Sequence, residues 1–114
     1  MTYKELNTFI AGLGLPYAYN EFPDSTPQEP PFICFLFDSS NDFVADDTNY
    51  AKIRPLLIEL YTSEKDFELE DTIETALSNG GFVYSRSETY LDNEQMNMVV
   101  YSTEIVITEE QDNG

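Results

Sequence analysis

The chain has 114 residues, enough for one hydrophobic core, and 22 acidic against 5 basic residues with no histidine give it a net charge of −17. Such a surface repels nucleic-acid phosphates and anionic membranes, yet 41% hydrophobic and 14% aromatic residues give the chain the means to fold. The lack of histidine removes most general-base and zinc-ligand schemes, and the single cysteine, Cys34, excludes an internal disulfide and suits a reducing compartment.

Thr2 followed three residues later by Glu5 forms a capping box, and Leu6, Phe9, Ile10 and Leu13 recur at helical spacing, which predicts a helix over Tyr3–Leu13. Gly12, Gly14 and Pro16 stop it. Asn7 and Thr8 interrupt the apolar residues near the start, so no secretory leader is expected. Tyr17 to Phe22 alternates as a short strand, and Pro23, Pro27, Pro30 and Pro31 mark the next stretch as an extended arm. Phe32–Phe37 is apolar at every position and bounded by proline and aspartate, so it reads as a strand buried on both sides, and it is far too short to span a membrane. Asp38–Asn49 is polar and acidic and reads as a long loop.

The segment from Tyr50 to Tyr61 is a strand with Leu56, Ile58 and Leu60 on one face, and Pro55 marks it as an edge or a strand start. Ser63 is the expected cap of a second helix, with Leu69, Ile73, Ala76 and Leu77 as its apolar stripe, Glu68, Glu70, Asp71 and Glu74 off it, and Gly80-Gly81 as a left-handed terminator. Phe82–Leu91, a turn at Asp92-Asn93-Glu94 and Met96–Thr108 form a β-hairpin. The order α-β-β-β-α-β-β predicts an α+β fold, a mostly antiparallel or mixed sheet of about five strands with both helices on one face. Residues 1–108 read as one domain and 109–114 as a frayed acidic tail. Two short helices cover only one face, so the second must be covered by loops or by another subunit.

Little here carries chemistry. Asp38, Ser40 and Asp42 alternate as in a calcium loop, but Phe43 stands where the EF-hand turn needs glycine and Asn49 where it needs glutamate. The loop therefore reads as solvated, with Phe43 anchoring it. Paired carboxylates could act as acid and base, but so small a domain offers little cleft, and no phosphate-binding glycine motif occurs; the expectation is no enzyme, no metal and no cofactor. Cys34 has no histidine to activate it and reads as core packing. Lys4, Lys52, Arg54, Lys65 and Arg86 are too scattered for a nucleic-acid patch, but Lys52 and Arg54 leave residues 51–62 locally net positive. These two could face an acidic loop of a neighbouring copy.

Asn41-Asp42-Phe43-Val44-Ala45-Asp46-Asp47-Thr48-Asn49-Tyr50, then Ile58-Glu59-Leu60-Tyr61-Thr62 and Lys65-Asp66, resemble tail-completion or tail-terminator proteins of long-tailed, siphovirus-type bacteriophages and prophages of Gram-positive bacteria. Tyr84 to Leu91 and Val100-Tyr101 continue the likeness, which spans roughly residues 30–107 and rests on the order of short motifs. The resemblance implies a ring, usually of six copies, that caps the tail tube, ends its polymerisation and joins the tail to the head-completion complex. It implies as partners the chain itself, the major tail tube protein and a connector protein, with DNA passing through without specific binding and no membrane contact. The place implied is the virion neck, with assembly in the host cytoplasm. Interface residues inferred from the motif and the local charge contrast are Phe43, Asp46, Tyr50, Lys52 and Arg54. A different class also fits small acidic chains: an inhibitor that mimics DNA and occupies a host nuclease or restriction enzyme. That reading needs an ordered acidic stripe, whereas here the acids spread over loops and one helix face.

Overall fold

The computed structural model describes residues 1–38, 43–44 and 51–108. Helix α1 spans Tyr3–Ala11 and is closed by the expected capping box: Glu5 N donates to Thr2 Oγ1 at 3.1 Å and Thr2 N donates to Glu5 Oε1 at 2.8 Å. These bonds hold the Glu5 carboxyl below its usual pKa. Helix α2 spans Phe67–Asn79. Its cap is Asp66 rather than Ser63: the Asp66 carboxylate accepts from Leu69 N at 3.0 Å, which leaves Ser63 in the turn before the helix. Gly80 is right-handed and Gly81, at φ +83°, supplies the left-handed residue. Gly80 answers a packing need instead, because a Cβ there would come within 3.0 Å of the Phe9 and Phe82 rings.

Strands β1 (Tyr17–Tyr19), β2 (Phe32–Phe37), β3 (Phe43–Val44), β4 (Ala51–Thr62), β5 (Tyr84–Leu91) and β6 (Met96–Thr108) form one mixed sheet in the order β1-β2-β4-β6-β5, with β3 also paired to β4. Only β1 and β2 run parallel; the other pairs are antiparallel. The strand pair β3 lies inside the stretch expected to be loop. The fold class is as expected, α+β with both helices on one face: Leu6 and Ile10 of α1 and Ile73 and Leu77 of α2 join one core cluster with Ile33, Phe35, Leu56, Ile58, Leu60, Val99, Tyr101, Ile105 and Ile107 of the sheet.

Pro55 departs from expectation. It sits inside a twelve-residue strand that is central in the sheet, paired with Glu104 of β6. The Pro55 carbonyl accepts from Asp38 N at 3.0 Å, so that carbonyl points to the β2 side, and a strand residue's N and C=O point the same way. The missing N–H therefore faces the gap between the Phe37–Leu56 and Phe43–Ile53 pairs, and no rung of the β4–β6 ladder is lost.

Asp42, Asp46, Asp47 and Asn49 of the acidic loop, and the 109–114 tail, lie outside the described residues. Among the described residues no helix is long and apolar enough to cross a membrane, and no group of three or more His, Cys, Asp or Glu side chains is placed to hold a metal ion.

Candidate interface surfaces

Because side chains alternate along a strand, the register assigns every sheet residue to one of two faces. On the helical face, Leu56, Ile58, Leu60, Val99 and Tyr101 are at most 1% exposed. Burying each such aliphatic side chain favours the fold by about 1.5–3 kcal/mol.

That face also contains a charge network that ties α2 to β5. Glu70 is 3% exposed, and its Oε1 accepts from Lys65 Nζ at 2.8 Å and from Arg86 Nη2. Lys65 also donates to Glu88 at 2.8 Å, Arg86 Nε lies 3.3 Å from Glu74, and Tyr101 Oη donates to Glu74 at 2.9 Å. Burial, then the bond to Glu74, raises the Tyr101 phenol pKa, and the bond from Lys65 holds the Glu88 carboxyl low. Burial alone would lower the Lys65 ammonium, but its bonds to Glu70 and Glu88 outweigh this and raise it. Glu70, which the sequence pattern places off the apolar stripe, is buried. The signal that locates it is its spacing of three and seven residues from Ile73 and Leu77.

Among the described residues no helix lies over the opposite face. The proline-rich arm reaches one end, where the Phe22 ring meets Phe32 edge-on at 5.3 Å and Phe32 stacks on Tyr61 at 4.7 Å. Burial, then the nearby Glu59 and Glu21, push the Cys34 thiol up to about 11. Burial, then a hydrogen bond to Glu59, raise the Tyr61 phenol too. Beyond the arm, Leu36, Ile53, Pro55, Leu57, Met98 and Val100 are only half-buried and Val106 is exposed. A groove of about 880 Å³ crosses this region, lined by Pro55, Leu57, Val83, Ser85, Ser102 and Glu104, with Asp38 also in its wall.

Of the residues expected at a subunit interface, Asp46 and Tyr50 lie outside the described residues, and Phe43 pairs with Ile53 as part of β3. Lys52 and Arg54 sit two apart on β4, on the helical face opposite Ile107 and Ile105. Lys52 is exposed. The Arg54 guanidinium lies over the Phe37 ring, 4.1 Å from its centre, and Arg54 Nη1 donates a hydrogen bond to Tyr3 Oη at 2.9 Å. Tyr3 and Tyr19 flank Phe37 with ring centres at 5.8 and 6.1 Å, and both tyrosines are about half exposed. This aromatic surround of Arg54 joins residues far apart in the chain, so no local motif announces it.

No protein-family model matches the sequence, and no curated protein matches it. The fold is similar to that of a chain in the virion of a native gene transfer agent (GTA) particle, with a TM-score of 0.58 at 13% identity, over 94% of this chain and 91% of the other.

Proposed function

We propose that this chain is a structural protein of a bacteriophage or phage-derived virion, and within it the tail terminator: a ring of copies, six as the sequence resemblance implies, that caps the tail tube and meets the head-completion proteins. The observation that carries this reading is the likeness of fold to a chain of a gene transfer agent virion, which runs over nearly the whole of both chains. Three features support it. The sheet has a half-buried apolar face without helices, its two outer strands β1 and β5 lie at opposite ends, and the strong negative charge would keep DNA phosphates from adhering to a conduit.

In this reading Lys52 and Arg54, beside the tyrosine and phenylalanine rings of Tyr3, Tyr19 and Phe37, contact carboxylates of the next copy, and Phe43, Asp46 and Tyr50 belong to the same contact. Because every copy carries the same charge, salt favours association by screening it. The test is to mix the purified chain with the tail-tube protein of the same particle and follow it by light scattering and electron microscopy. Rings, free or seated on tube ends, are expected, and Lys52→Glu should weaken them without unfolding the chain. A protein that stays monomeric and never associates with tube ends would overturn the reading.

A further inference from the structure

The sequence contains five basic residues, and the fold places all of them on the helical side. Lys4 is on α1, Lys52 and Arg54 face the helices from β4, and Lys65 and Arg86 are committed to Glu70 and Glu88. The opposite face carries Glu59 and Glu104 and, among the described residues, no lysine or arginine. The groove lies on that face, with Pro55, Leu57 and Val83 as its apolar wall and Glu104 exposed beside them. Val83 is 88% exposed, the most of any large apolar residue described.

We infer that this groove takes a short, extended segment of a different protein, apolar and basic in sequence. Apolar side chains of the segment would cover Leu57, Pro55 and Val83, and its lysines or arginines would meet Glu104. An extended backbone suits the site because the groove runs across one face of three neighbouring strands, from Ser85 of β5 over Ser102 of β6 to Leu57 of β4, with Val83, Glu104 and Pro55 beside that row. A second copy of this chain is a poorer occupant, because the cations it could offer are few and Lys65 and Arg86 are already paired. The inference goes beyond the ring: contacts through Lys52 and Arg54 use the other face of β4, so either can fail while the other stands.

The experiment uses the full chain and two labelled octapeptides, one alternating valine with lysine and one alternating valine with glutamate. Fluorescence anisotropy at low and moderate salt measures binding, and amide hydrogen exchange locates it. The lysine peptide should bind and the glutamate peptide should not, with protection at residues 83–85 and 102–104. Glu104→Lys, or Val83→Lys at an exposed position that the fold does not need, should weaken binding at least about fivefold. Asp71→Lys, the same charge change on the exposed side of α2, should weaken it less than about twofold. Equal losses at Glu104 and Asp71 would overturn the inference by showing general attraction to an acidic protein. So would the absence of binding, or self-association of the chain that Glu104→Lys abolishes, which would assign the groove to a second copy.

Discussion

Leu57 and Ile58 are neighbours in β4, similar in size and hydrophobicity, yet Ile58 is fully buried under the helices while Leu57 is half-exposed in the wall of the groove. The same contrast runs along β6, where Val99 and Tyr101 are buried and Val100 and Ser102 are half-buried. One step along the strand thus separates side chains that hold the fold from side chains available to a partner. The ionic groups divide in the same way. On the helical side Lys65 and Arg86 are paired with Glu70, Glu74 and Glu88, whereas the other face carries Glu59 and Glu104 and no lysine or arginine among the described residues.

Substitutions can break this contrast. Ile58→Ala should cost the most, about 3 kcal/mol in urea unfolding, because the helices cannot collapse into the space it leaves. Glu70→Gln should cost about 1–2 kcal/mol by the same measurement. It removes the buried carboxylate that joins Lys65 to Arg86, but both cations are partly exposed and can rehydrate. Asp66→Ala should cost about 1 kcal/mol as a lost helix cap, whereas Ser63→Ala should be close to neutral. Leu57→Ala should cost less than about 1 kcal/mol, and a loss equal to that of Ile58→Ala would erase the distinction between the faces.

The pH dependence has a definite sign. Cys34, Tyr61 and Tyr101 have raised folded-state pKa values, so what they contribute is fully present below their unfolded values and is lost as pH rises through the folded ones. For Cys34 that window runs from 9.0 to about 11. Glu5 and Glu88 act in the opposite sense, and their contribution is lost as pH falls below the ordinary carboxylate range. Urea midpoints should therefore be level near neutrality and fall on both sides, with the fall beginning near pH 9 on the alkaline side. Cys34→Ala should remove only the thiol's share of that alkaline loss.

Local signals carried much of the fold. The Thr2–Glu5 capping box, the Leu69–Leu77 stripe, the apolar run of β2 and the hairpin around Asp92–Gln95 each depend on residues close in sequence, and each is found in place. The choice of face was harder to read, because Leu56, Ile58 and Leu60 alternate with Ile53, Leu57 and Tyr61, and only packing against the helices decides which set is covered. Pro55 suggested an edge because its lost donor is costly inside a sheet; the gap between β2 and β3 removes that cost. Ser63 and Asp66 are both good caps, and local preference does not choose between them. The groove, and the aromatic surround of Arg54, join residues from distant strands and have no linear signature.

Mass-spectrometric footprinting of carboxylates, on the free chain and on the particles in which we propose that it assembles, tests the division of the two faces most directly. If the face without helices is the one that partners cover, Glu104 loses its reactivity on assembly while Asp71 and Glu68 on α2 keep theirs. Loss at Asp71 and Glu68 with Glu104 unchanged would contradict the account.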